Sequence, residues 1–112
     1  VVYTGDTRPV EATVAAAEEA DLLVHDGTFA DDHTERAHET AHSTAREAAA
    51  VAREAGVRQL ALTHISTRYA GRGDLLGAEA REVFPDTLVA HDGMSSEVPF
   101  PDSDRSCDVQ AR

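Results

Sequence analysis

The sequence predicts a layered α/β domain, and three observations carry that expectation. Short apolar runs alternate along the chain with stretches whose small apolar residues recur at helical spacing, the order that builds a sheet packed against helices. The run Leu22-Leu23-Val24 has no polar alternation, as expected of a strand covered on both faces. Asp6, His25-Asp26 and His64 each follow an apolar run directly, at the strand ends where open α/β sheets place their ligand crevice.

Each element follows from local chemistry. Val1 to Thr4 reads as a strand halted by Gly5-Asp6-Thr7-Arg8-Pro9, where glycine and proline enforce a loop. Pro9 suits a first helical turn, and Val10, Val14 and Ala17 then keep helical spacing to about Ala20. A strand follows at Asp21 to His25, then a polar loop or short helix between Asp31 and Thr40. Ser43 or Thr44 can cap a helix whose Ala48, Val51, Ala52 and Ala55 form one apolar stripe before Gly56 ends it. Gln59 to Thr63 is a third strand, 65–73 a loop, 74–84 a helix and Thr87 to Ala90 a fourth strand; Glu97-Val98-Pro99 reads as an edge strand. Residues 1–99 then form the domain, and the polar stretch 100–112 is expected to be a disordered tail.

With 112 residues the chain can build one small core, and a thin one, because many of its apolar residues are alanine and only five residues are aromatic. The net charge of −11, with 21 acidic residues against 10 basic ones that are all arginine, argues at first against a nucleic-acid partner. Adaptation to high salt, where the Debye length falls to about 3 Å at 1 M, accounts for the same bias and makes overall charge uninformative about substrate. We therefore expect a halophilic source. The lone Cys107 excludes a disulfide framework and a cysteine metal site within the chain, which suits a reducing cytoplasm. No apolar run approaches 18 residues and no signal-peptide pattern opens the chain, so no membrane association is expected. The sequence starts without methionine on a strand-like run, which leads us to expect an upstream region.

Imidazole and carboxylate together suit divalent zinc, and a carboxylate can bridge two such ions. Asp6 and His64 supply one of each, although on spacing alone Asp6 also reads as a turn residue and His64 as a group satisfying nearby backbone. His42 precedes Ser43-Thr44 at a helix start, where free N–H groups would favour a phosphate; spacing alone favours reading it as a residue that flanks the cap. His33 and His38 lie in a polar segment and read as solvated, His91 flanks the turn at Asp92-Gly93, and Arg72-Gly73-Asp74 reads as loop.

Gly5-Asp6-Thr7-Arg8-Pro9, His42-Ser43-Thr44, Leu62-Thr63-His64-Ile65-Ser66-Thr67-Arg68-Tyr69 and Ala90-His91-Asp92-Gly93-Met94 together resemble, in order and approximate spacing over residues 1–99, ribonuclease Z. That family of tRNA 3′-processing endonucleases has the metallo-β-lactamase fold, so the resemblance implies the C-terminal half of an αββα sandwich. It implies Asp6 and His64 as ligands in a site of two zinc ions, His42 as the acid that protonates the leaving oxygen, and Arg68 near the substrate phosphate. The family orients its acid histidine with the glutamate of a His-Glu-Ala-Thr stretch; here His25-Asp26-Gly27-Thr28 stands instead, so Asp26 keeps the charge on a side chain one methylene shorter. The implied reaction is hydroxide attack on a phosphodiester of precursor tRNA, leaving a 3′-hydroxyl on the tRNA and a 5′-phosphate on the trailer, in a homodimeric enzyme.

The family's His-x-His-x-Asp-His motif, a further ligand histidine and its tRNA-gripping arm are not in this sequence. The chain is therefore expected to be inactive without an N-terminal half of the same enzyme. Two other readings compete: a different hydrolase of this fold, of arylsulfatase or phosphodiesterase type, and a non-catalytic α/β interaction module.

Overall fold

A computed structural model of the chain describes residues 1–98. Strands β1 (Val2–Tyr3), β2 (Leu22–Asp26), β3 (Gln59–Thr63) and β4 (Thr87–Val89) form one sheet in the order β1-β2-β3-β4, every pair parallel. Parallel neighbours need a long return connection. These are supplied by helices α1 (Glu11–Ala16), α2 (Thr34–Glu39), α3 (Ala45–Ala55) and α4 (Gly73–Arg81). Short 3-10 turns at Asp31–His33 and Thr67–Tyr69 complete the connections.

Thr44 is the cap of α3, and it forms a reciprocal pair with Glu47: the Glu47 N–H donates to Thr44 Oγ1 at 3.1 Å and the Thr44 N–H to Glu47 Oε1 at 2.9 Å. Gly56 closes the helix at φ 70°, a left-handed turn that glycine adopts without steric cost. The buried side of α3 is almost wholly alanine (Ala45, Ala48, Ala49, Ala52, Ala55) with Val51, so this helix sits close against β2 and β3, between α1 and α4. Close approach replaces bulk as the source of contact.

Helix α1 stops at Ala16, short of the predicted Ala20, because tertiary bonds take over the chain. Glu19 turns at φ 55° and donates its N–H to Ala55 O at 2.9 Å, and Ala20 O accepts from Arg58 N at 2.9 Å. These bonds fix the entry of β2 beside the end of α3. The loop predicted for 65–73 contains the 3-10 turn, α4 ends at Arg81, three residues before the predicted end, and Glu97 and Val98 are not in a strand. Pro99, the tail at 100–112 and Cys107 lie outside the described residues.

Side chains alternate across a strand. Val2, Leu23, Leu60, Leu62 and Val89 share the face that meets the helices, and Leu23, Leu60 and Leu62 are completely buried there. Tyr3, Leu22, Val24, Ala61 and Leu88 alternate onto the other face. Tyr3 is 71% exposed, and Leu22, Val24 and Leu88 are only partly covered. The expectation that β2 is covered on both faces is thus corrected: within residues 1–98 the helices gather on the Leu23, Leu60 and Leu62 side, α3 against β2 and β3, α4 against β4, and α1 against α3.

Candidate functional site

Four side chains converge at the carboxyl end of the sheet. Asp6 follows β1, Asp26 ends β2, His64 follows β3 and His42 leads into α3; one donor atom from each lies within 4.8 Å of the others. Three of the four come from strand ends because the register pairs Asp26 with Thr63, so the next residues on β2 and β3 emerge side by side. His42 arrives from a different direction and is tied in by its neighbour, as Ser43 Oγ donates to Thr7 O at 2.6 Å. His64 itself stands at φ 60°, and Ala41, just before His42, at φ 61°. Left-handed backbone at non-glycine residues persists where surrounding contacts over-determine it, which is common at working sites.

Asp26 is the hub. Its Oδ2 accepts from His42 Nδ1 at 2.7 Å and from Thr7 N at 3.0 Å, and its Oδ1 accepts from Thr28 N at 2.9 Å and Thr28 Oγ1 at 2.5 Å. Thr28 Oγ1 also lies 2.9 Å from His64 Nδ1 and 3.2 Å from His42 Nδ1. The His42 and His64 rings stack at 4.9 Å and 15°. His64 Nε2 faces Asp6 Oδ1 at 3.6 Å. The missing methylene of Asp26, relative to a glutamate, therefore does not prevent contact with His42.

Burial of Asp26 pushes its carboxyl upward, but the hydrogen bonds from Thr28, His42 and Thr7 outweigh burial and hold it below the usual carboxylate range. It stays ionised, an acceptor at both oxygens. His25, on the helix-facing side of β2, behaves oppositely. It is completely buried, its Nδ1 lies 2.9 Å from Asp26 O, and its Nε2 has no hydrogen-bond partner among the described residues. Burial lowers its pKa from the ordinary 6.5, against the opposing backbone bond to Asp26 O and the charges of Asp26 and Glu47. The unfolded chain then binds a proton that the folded chain refuses. Stability is accordingly complete above the ordinary value of 6.5 and falls as pH drops below it, by at most about 1.4 kcal/mol per pH unit, until the folded pKa is passed. Denaturant titrations from pH 7.5 to 5 should show this slope, reduced by about one proton in His25→Leu; equal slopes in both proteins would refute it.

The remaining candidates are placed elsewhere. Arg68 stacks its guanidinium 5.3 Å over the Phe29 ring, which is 6.3 Å edge-on from His42, so it borders the site through an aromatic spacer. His33 and His38 are not merely solvated: His33 lies 3.1 Å from the Tyr69 hydroxyl, and His38 Nε2 pairs with Glu47 Oε2 at 2.5 Å. His91 is exposed and 3.1 Å from Asp92 O. The start of α3 does not offer a ready anion site, because Glu47 N is capped by Thr44, Ala45 N donates to Phe29 O at 2.9 Å, and the Glu47 carboxylate sits there.

The donor set fits a divalent metal in one arrangement. The carboxylate oxygens of Asp26 and Nδ1 of His42 are engaged with each other and with Thr7 and Thr28, whereas Asp6 and Nε2 of His64 face each other across 3.6 Å with side chains about half exposed. Asp6 and His64 could hold an ion between them, and two ligands leave its remaining positions to other donors.

The family described as "Beta-lactamase superfamily domain" matches residues 1–65, more than half of the chain. The chain belongs to the beta-lactamase superfamily. Within it, curated relatives named ribonuclease Z include that of Halobacterium salinarum, 60% identical over 104 residues, and that of Haloferax volcanii, 62% identical over 105 residues. The first covers 93% of this chain and 34% of the relative, the second 93% and 33%, so the chain spans about a third of the length of the curated relatives it matches. Among solved structures, the metallo-beta-lactamase fold protein YhfI from Bacillus subtilis superposes with a TM-score of 0.71 at 33% identity, covering 82% of this chain and 37% of that one. Human tRNase Z, short form, superposes with a TM-score of 0.69 at 31% identity, covering 88% and 33%. The α/β architecture is thus part of the metallo-β-lactamase fold, as expected. No helix among the described residues is long and apolar enough to cross a membrane.

Sequence reasoning missed two members of this cluster, Thr7 and Thr28, which supply three hydrogen bonds to Asp26. Asp26-Gly27-Thr28 carried a local signal for one of them: an aspartate accepting from the N–H two residues on is a common turn.

Proposed function

We propose that this chain supplies part of the active site of a zinc-dependent endoribonuclease that removes the 3′ trailer of precursor tRNA. The observation that carries the reading is the pairing of His42 with buried, ionised Asp26 at 2.7 Å beside the Asp6–His64 pair, in a chain about 60% identical to relatives named ribonuclease Z. Asp6 and His64 would be metal ligands, and the remaining ligands of a two-zinc site would come from the other two thirds of the domain. Zinc bound there supplies an acidified water, with a pKa near about 7, and charge stabilisation at the reacting phosphate. Asp26 holds the Nδ1–H of His42, which fixes the ring and directs Nε2 away from the hub. Protonated at Nε2, His42 gives that proton to the departing 3′ oxygen, producing the tRNA 3′-hydroxyl and leaving the phosphate on the trailer. Arg68, seated over Phe29, would meet a neighbouring phosphate. The acidic, lysine-free composition and the haloarchaeal relatives support a halophilic enzyme; a homodimer is what the ribonuclease Z resemblance implies, and a reducing cytoplasm is what the lone Cys107 suits.

The test is cleavage of a 3′-extended precursor tRNA in zinc, at low and high KCl, by this chain with and without the remainder of the Haloferax volcanii relative as a separate polypeptide. Cleavage at the 3′ junction only in the mixture, and best in high KCl, is the expected result. Failure of a demonstrably assembled mixture to cut would redirect the assignment to another hydrolase of the fold or to a non-catalytic module. Cutting by the chain alone would overturn the shared-site reading.

A further inference from the structure

Thr28 has one hydroxyl proton and three polar neighbours. Asp26 Oδ1 is 2.5 Å away, His64 Nδ1 2.9 Å and His42 Nδ1 3.2 Å. An ionised carboxylate is a stronger acceptor than a neutral ring nitrogen, and its bonds to hydroxyls are short, about 2.5–2.7 Å. The proton therefore belongs to Asp26. Once it is given there, Thr28 Oγ1 can only accept from His64, which requires the proton of the neutral His64 ring to sit on Nδ1.

We infer that Thr28 is a positioning residue that locks His64 in the Nδ1–H tautomer and so leaves the Nε2 lone pair facing Asp6. This rests on the proposed reading of Asp6 and His64 as metal ligands, because only the bare nitrogen of a histidine can ligate. Ligating histidines are commonly fixed by a partner at the other ring nitrogen, and losing that partner costs 10–100-fold in metal affinity. Thr28 performs this for His64 while it holds the same carboxylate that orients His42, so one hydroxyl joins the ligand histidine to the acid histidine. The backbone N–H of Thr28 bonds Asp26 independently at 2.9 Å, so removing the hydroxyl leaves Asp26 anchored.

The experiment needs no activity. In the 112-residue chain, labelled with nitrogen-15 at histidine and kept in high KCl at about pH 8, long-range proton–nitrogen correlations report the His64 tautomer directly. We expect Nδ1–H in the natural chain and in Thr28→Ser, and a shift toward Nε2–H in Thr28→Val, whose side chain has nearly the same shape. Zinc ion alone, titrated into each protein and read at the His64 nitrogens, should bind about 10–100-fold more weakly to Thr28→Val than to the other two. Nε2–H in the natural chain, or a tautomer indifferent to both variants, would overturn the proposal. A tautomer that follows Thr28 while zinc leaves the His64 nitrogens unmoved even after the remainder of the Haloferax volcanii relative is added, so that the other ligands are present, would uphold the positioning role and overturn His64 as a ligand. Should Thr28→Val not fold, the natural chain and Thr28→Ser still decide the tautomer.

Discussion

Replacing His42 with alanine should lower the single-turnover cleavage rate of the assembled enzyme by roughly 10²–10⁴-fold, the usual worth of a positioned general acid, while zinc stays bound. The split follows from geometry. His42 Nδ1 is 2.7 Å from Asp26 and its ring stacks on His64, but the atoms that face each other across the candidate metal position belong to Asp6 and His64. On the proposed reading, removing His42 thus takes away a proton donor and leaves the Asp6–His64 pair in place. Asp26→Asn is the companion: it preserves shape but replaces an acceptor with a group that donates from one side, leaving Thr28 and His42 in competition for a single oxygen. Its cleavage rate should fall too, with zinc retained. Loss of zinc in His42→Ala would mean that His42 is itself a ligand, and an unchanged rate would remove it from the chemistry. Another hydrolase of the fold would have no use for His42, so the same measurement separates the two readings.

Val24→Asp should abolish assembly with the rest of the domain, weakening association at least about 100-fold. Val24 alternates onto the sheet face that also carries Tyr3, Leu22 and Leu88, opposite the face buried by α1, α3 and α4. An apolar sheet face with Tyr3 71% exposed is unusual on a finished surface, and the curated relatives have about three times this chain's length. A second sheet packing face to face at about 10 Å is the occupant that fits a sandwich of two sheets. An aspartate at its centre would be desolvated without a partner, a penalty of several kcal/mol, and about 2.8 kcal/mol already corresponds to 100-fold. The control is Ala50→Asp, the same charge placed on the exposed side of α3. Equal binding by both variants, measured by calorimetry against the separate remainder of a relative, would show that this face is not the junction.

How much was legible beforehand varied with the distance over which each feature is decided. The cap and stop of α3 are spelled locally: the sequence offers Ser43 or Thr44 as cap and Gly56 as stop, and the structure selects Thr44, paired with Glu47, and keeps Gly56. The end of α1 is not local: nothing in Ala17-Glu18-Glu19-Ala20 forbids helix, and bonds to Ala55 and Arg58, nearly forty residues on, decide it. The coverage of β2 misled for a related reason. An unbroken apolar run records what a strand packs against in the complete assembly, and this chain buries only one side of it within its described residues.

By itself the sequence determined the alternation of strands and helices, the apolar stripe of α3 and the positions of Asp6, Asp26 and His64 at strand ends, because each depends on periodicity or turn chemistry within a few residues. Only the tertiary structure decided that Asp26 reaches His42 across sixteen positions and that Thr28 reaches His64 across thirty-six. Those contacts depend on the parallel register of β2 against β3 and on Ser43 anchoring to Thr7. Hydrogen bonds of that kind are directional and fail within a fraction of an ångström, so they belong to the packed sheet and not to any stretch of sequence.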